Sequence, residues 1–225
     1  MQAKSFFVTG TDTGVGKTCV SCALLQAAKE AGLSTAASKP LAAGGEDTSS
    51  GIFNKDALQL QAACTLELAY HEINPLCLQH AIAPHIAARA EGIGLDLQQL
   101  ASSVQSVIDR QADLTLIEGA GGWRVPLNAQ QTLADLARSL AQPVILVVGM
   151  RLGCLNHALL SMQAIKQDGV KLQGWIANQL DPAMPAYQEN LETLQDMMDA
   201  PLLGELKWQQ TSFSPSLVLN KLMDC

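Results

Sequence analysis

The stretch FVTGTDTGVGKT, Phe7 to Thr18, constrains this chain more than any other. An apolar run that reads as a buried strand (5–9) enters it, and a segment rich in helix formers (17–32) leaves it. A strand that passes through a glycine-rich turn and Lys-Thr into a helix is the arrangement a phosphate-binding loop requires. The usual pattern has four residues between its glycines, whereas five separate Gly10 from Gly16 here. Counting back from Gly16 resolves the mismatch. Thr11 takes the first position, and the loop proper is TDTGVGKT. Gly14 and Gly16 let backbone N–H groups converge on phosphate, and the helix start adds its positive dipole end. Lys17 is placed to neutralise β- and γ-phosphate charge, and Thr18 to offer its hydroxyl to Mg²⁺.

Further apolar runs follow at 34–39, 114–118, 143–149, 172–178 and 201–206. Most lack polar alternation, as strands buried on both faces do. Helix-like segments lie at 95–111, 132–142, 156–169 and 187–198. The alternation predicts a three-layer α/β fold of the P-loop NTPase type, a mainly parallel sheet flanked by helices, in a single domain over 1–225. Residues 40–95 are the least regular and hold three of the four histidines. An excursion of that length usually serves a site.

Several polar residues are candidates for that site. Asp12 stands where partition and division ATPases usually carry a second lysine; beside phosphates it suits a cationic partner such as a substrate amine. Glu118 closes the buried run LTLIE, and the glycines after it let backbone approach a ligand. Asp56 lies at the expected start of a helix, where by itself an acidic residue reads as a partner of the helix dipole. Lys39 ends the second strand, on the carboxyl edge where open α/β sheets bind ligands. Cys19 and Cys22 form C-x-x-C inside the first helix, without a second pair or a nearby histidine, and read as small buried residues.

Composition removes other classes. Hydrophobic residues are 48% and charged ones 16% of the 225, with a net charge of −7 and scattered basic residues. That fits a globular protein with a large buried core and argues against nucleic-acid binding. No secretory leader is visible, and the longest apolar run is too short for a membrane span. A cytoplasmic location is expected, without a disulfide framework.

The motifs FVTGTDTGVGKT, SKPLAAG, DALQLQ, APHIAAR, LIEGAGGW, PVILVVGMRLGCLNHALL, GWIANQL and APLLGEL, in this order, together resemble the dethiobiotin synthetase family. The resemblance implies an ATP-dependent ligase of biotin biosynthesis. It would carboxylate 7,8-diaminononanoate with CO₂ and close the ureido ring, releasing ADP and phosphate. It implies Lys17 and Lys39 as catalytic cations and Thr18, Asp56 and Glu118 as Mg²⁺ ligands. Nucleotide contacts would come from Gly14, Val15, Gly16, Lys17, Thr18 and Cys19, from Asp56, and from Glu118, Gly119, Ala120 and Gly121. Asn178, Gln179, Lys207, Trp208 and Gln209 would line the adenine pocket. Thr13 and Lys39 would contact substrate, with Asp12 near its amines. Gly153, Cys154, Leu155 and Asn156 would bind the substrate carboxylate across a homodimer interface. The chain departs from the family at Ala43, where a serine is common, and at Lys207, where a proline is common.

Two other classes fit the phosphate loop. An ATP-driven switch protein lacks support because the signature lysine is absent. An amide-forming ligase for a corrin-type acid would need a glutaminase domain, for which this chain has no room.

Overall fold

A computed structural model describes residues 3–223. In chain order the elements are β1 (Lys4–Gly10), α1 (Lys17–Glu30), β2 (Thr35–Ser38), β3 (Leu41–Ala43), β4 (Glu46–Thr48), β5 (Gly51–Phe53), α2 (Lys55–Ala63) and α3 (Tyr70–Ile73). There follow β6 (Leu76–Leu78), α4 (Pro84–Ala90), α5 (Leu97–Ile108), β7 (Leu114–Gly122), α6 (Leu133–Leu140) and β8 (Val144–Met150). The last are α7 (Cys154–Gln167), β9 (Leu172–Gln179), α8 (Tyr187–Met197), β10 (Leu202–Leu206) and α9 (Pro215–Met223).

Six strands form one sheet in the order β10-β9-β8-β1-β7-β2, and every neighbouring pair is parallel. All of these strands therefore end at the same edge. The apolar runs alternate sides as the pleat requires. Phe6, Val8, Leu116, Ile145, Val147 and Ile176 enter the core under α1, α2 and α9. Phe7, Ile117, Leu146, Val148, Trp175 and Ala177 enter the core under α5 to α8. Side chains pointing to either face are buried, which is why the runs carry no polar alternation. Each large one contributes about 1.5–3 kcal/mol of transfer free energy.

The six expected strands are all present. Glu118 differs in its setting: β7 runs on to Gly122, so the carboxylate lies inside the strand rather than at its end. The glycines permit the extension. A Cβ on Gly119 would meet the Phe7 ring at 3.2 Å, and one on Gly121 would fall 2.8 Å from the Val125 side chain. The C-x-x-C pair also differs from expectation. Cys19 is exposed because it lines an open cleft, and Cys22 is half-buried against the core beneath α1. Among the described residues all cysteines are free; Cys225 lies outside them.

The irregular stretch 40–95 resolves into short pieces. A parallel pair joins β3 to β6, and an antiparallel hairpin joins β4 to β5. None is long enough to carry a readable period. Asn54 caps α2, accepting the Ala57 N–H at 3.2 Å, which sets Asp56 in the first turn as expected. Among the described residues no helix is long and apolar enough to cross a membrane.

Candidate active site

The parallel arrangement gathers loops from distant parts of the chain at one edge. A cleft of about 720 Å³ opens there, lined by Thr13, Gly14, Gly16, Lys17, Thr18, Cys19, Lys39, Asp56, Ala120 and Gly121 together with Ala81–Pro84. Its floor is the phosphate loop. Gly14 (φ 73°) and Gly16 (φ 83°) both occupy left-handed backbone, which a side chain would strain. Gly16 has a second reason to be glycine. A Cβ there would fall 2.1 Å from the Asn178 amide nitrogen. That amide donates to the Val15 carbonyl at 2.8 Å, so the end of β9 braces the loop after β1.

Behind the loop lies a buried polar cluster. Glu118 is 0% exposed. Its Oε1 accepts from the Thr18 hydroxyl at 2.7 Å and from Lys39 Nζ at 2.7 Å. Its Oε2 accepts from the Ser21 hydroxyl at 2.9 Å. Lys39 is only 4% exposed, and its Nζ also lies 3.5 Å from Asp56 Oδ2. A buried carboxylate is tolerated only with such complete pairing. Ser21 was not singled out from sequence. Its place one helical turn after Thr18 was the available signal, since residues three apart share a helix face. Asn74 was missed as well. Its amide donates to the Lys39 carbonyl at 2.7 Å, and the Lys39 N–H donates to the Ile73 carbonyl. The excursion through 40–95 thus holds the lysine in place.

The two lysines differ electrically. Burial lowers the Lys17 pKa to about 8, with the Glu118 charge opposing and the Lys39 charge assisting. Burial also acts to lower Lys39, but Glu118 and Asp56 outweigh it and hold its pKa above the ordinary value. Lys39 is therefore a permanent cation, while Lys17 is poised for an anion to complete its environment.

Thr18 and Glu118 meet directly, and Asp56 joins them through Lys39. They offer hard oxygens, the donor type Mg²⁺ takes. Among the described residues no group of three or more His, Cys, Asp or Glu could hold a metal, so a metal here would rely on the hydroxyl beside the carboxylates. Gly119 packs on Phe7, whereas Ala120 and Gly121 face the cleft.

Other candidates lie away from the cleft. Asn178 and Gln179 end β9, and Gln179 Oε1 accepts the Trp208 N–H at 3.2 Å. Lys207 pairs with Glu205 and sits 4.8 Å over the Tyr187 ring. Tyr187 donates to the same Glu205 oxygen at 2.6 Å. Gln209 has left-handed backbone, φ 60°. These residues cluster at the β9 and β10 ends of the same sheet edge. Gly153 (φ 94°) caps α7; Gly153 and Asn156 are exposed, Cys154 is buried and Leu155 half-buried. This turn does not line the cleft of its own chain. Asp12, expected to meet a cation, meets one within the chain: Arg151 Nη2 at 2.5 Å.

Comparison with known proteins bears on this arrangement. A family model described as an AAA domain matches residues 4–216. An ATP-dependent dethiobiotin synthetase of Pseudomonas aeruginosa (strain UCBPP-PA14) is 57% identical, over 90% of this chain and 89% of its own. One from Cellvibrio japonicus is 55% identical, over 91% and 89%. This chain belongs to the dethiobiotin synthetase family.

Membership in the dethiobiotin synthetase family makes the protein an ATP-dependent ligase. The fold has a wider kinship. Chloroplast FtsY from Physcomitrella patens superposes with a TM-score of 0.56 at 18% identity, over 99% of this chain and 66% of that one. Aquifex aeolicus MinD does so at 0.55 and 13% identity, over 99% and 96%. At those identities the likeness is one of fold: this chain has the P-loop NTPase architecture.

Proposed function

We propose that this family member makes dethiobiotin from 7,8-diaminononanoate, CO₂ and ATP, as one catalytic domain. The observation that carries this reading is the second buried lysine. A protein that only cycles nucleotide needs the loop and Lys17. Lys39, which lines the cleft opposite the loop, adds a second cation where an anionic intermediate would form.

One amine of the substrate adds to CO₂ and loses a proton, giving a carbamate. A carbamate oxygen attacks the γ-phosphorus of ATP, ADP leaves, and a carbamic–phosphoric anhydride results. The second amine attacks its carbonyl carbon, phosphate leaves and the ring closes. Gly14 to Thr18 and Cys19 cradle the phosphates. Lys17 binds the transferring phosphoryl group, and Lys39 stabilises the carbamate. Thr18, Asp56 and Glu118 would hold Mg²⁺, which supplies charge neutralisation on the phosphates. Thr13 contacts substrate. The protein contributes positioning and charge rather than covalent chemistry.

Asn178, Gln179 and Lys207 to Gln209 form the adenine end. The exposed turn Gly153–Asn156 serves the site of a second copy, its helix start binding the substrate carboxylate. Leu152, 99% exposed beside that turn, supports an apolar contact between subunits. We place the enzyme in the cytoplasm.

The test is purified protein with diaminononanoate, bicarbonate, Mg²⁺ and ATP. ADP release that depends on the diamine is expected; release independent of it would overturn the reading. A fully active monomer by light scattering would overturn the shared site.

A further inference from the structure

Two carboxylates flank one ammonium group behind the phosphate loop. Lys39 Nζ lies 2.7 Å from Glu118 Oε1 and 3.5 Å from Asp56 Oδ2. These are the oxygens assigned above to the metal. Glu118 has no exposure to water, so it needs a cation in every state of the site. Its other contacts, the Thr18 and Ser21 hydroxyls, are neutral. Among the described residues only Lys39 donates a formal charge to it within hydrogen-bonding distance.

We propose that Lys39 competes with the divalent cation for these oxygens, and that metal–nucleotide binding drives its ammonium into the cleft. Charge supports the exchange. Lys17 acts on the same two carboxylates, so a divalent ion added beside both lysines would leave positive charge in excess unless one ammonium moved away. Two cations cannot share the same oxygens without strong repulsion in a buried setting. Lys39 has somewhere to go, because it already lines the cleft. Its flexible four-carbon stem can swing the head without moving the backbone, which Ile73 and Asn74 hold. The exchange would deliver a cation to the carbamate only when the phosphoryl donor is in place. This deepens the ligase reading, since it takes the same metal site.

Mg²⁺ alone, without nucleotide, tests it. In titration calorimetry Lys39→Met should bind Mg²⁺ on the order of tenfold more tightly than the wild type, because its carboxylates have lost their competitor. Mg²⁺ should also raise the melting temperature of the variant more than that of the wild type. Equal or weaker Mg²⁺ binding by a folded variant would overturn the exchange. A second measurement uses the wild type alone. Reductive methylation of Lys39, read by mass spectrometry, should be faster in ADP with Mg²⁺ than in ADP with a chelator. An unchanged or slower rate would overturn the proposal even if the variant did not fold. Neither measurement includes the diamine, so failure of the synthetase reading shows separately, in the turnover assay.

Discussion

Arg151 Nη2 lies 2.5 Å from Asp12 Oδ2 and ties the turn after β8 to the phosphate loop after β1. The other Asp12 oxygen accepts the Thr13 N–H at 2.7 Å. The Asp12 carbonyl accepts from Lys17 Nζ at 3.4 Å. The loop tip is thus anchored from three directions, and one anchor belongs to the turn proposed to serve the partner's site.

Both members of that ion pair are about half-exposed. Arg151→Ala should therefore change stability by less than about 1 kcal/mol. Its effect should fall on binding, as a several-fold higher KM for ATP at low salt, diminishing as salt screens the pair. Steady-state kinetics at two ionic strengths check this. A KM unchanged at low salt would show that the bridge does not position the loop.

Gly16→Ala should abolish tight nucleotide binding. The new methyl would collide with the Asn178 amide in a backbone conformation of φ 83°. Asn178→Ala should be milder, stripping the Val15 carbonyl of its donor and costing about 1–3 kcal/mol of stability. Fluorescent nucleotide titration and thermal melts separate the effects. Wild-type nucleotide affinity in Gly16→Ala would contradict the fit described here.

Ser21→Ala should destabilise the fold by about 1–3 kcal/mol, because a buried carboxylate oxygen loses its partner. Denaturant unfolding measures this directly. A change within about 0.5 kcal/mol, the usual range for surface sites, would mean that the hydroxyl is not what satisfies Glu118.

Lys17 makes nucleotide binding proton-linked. Burial, its largest influence, brings its pKa down to about 8 from 10.5. Between those values the folded chain binds fewer protons than the unfolded one, so this group makes stability rise with pH across that window. Bound phosphates favour the charged form. Binding at about pH 9 should therefore take up a proton, and binding at about pH 6.5 should not. Calorimetry in buffers of different ionisation enthalpy reads the difference. Equal proton uptake at both values would be inconsistent with a depressed Lys17.

Much of the architecture could be read directly. The inner strands β9, β8, β1 and β7 were visible because a strand buried on both faces reads as an apolar run; the edge strands β10 and β2 carry shorter runs. The stretch 40–95 was opaque for the opposite reason. Elements of three or four residues such as β3, β6 and α3 are stabilised by what they pack on rather than by their own pattern. The site divides similarly. Lys17 and Thr18 were assigned from adjacency in the loop, whereas Ser21 and Asn74 reveal their roles only through the partners they reach.

By itself, then, the sequence determined the α/β alternation, the phosphate loop and the candidates Lys39 and Glu118, since these are written in contiguous residues and local periodicity; Asp56 entered only through the family resemblance. Only the tertiary structure decided who meets whom. Strand order sets β7 and β8 on either side of β1. That brings Glu118 under Thr18 across 100 positions, Arg151 to Asp12 across 139. With β9 beyond β8, it brings Asn178 to Val15 across 163. Such contacts depend on how separate faces pack, and no local pattern encodes that.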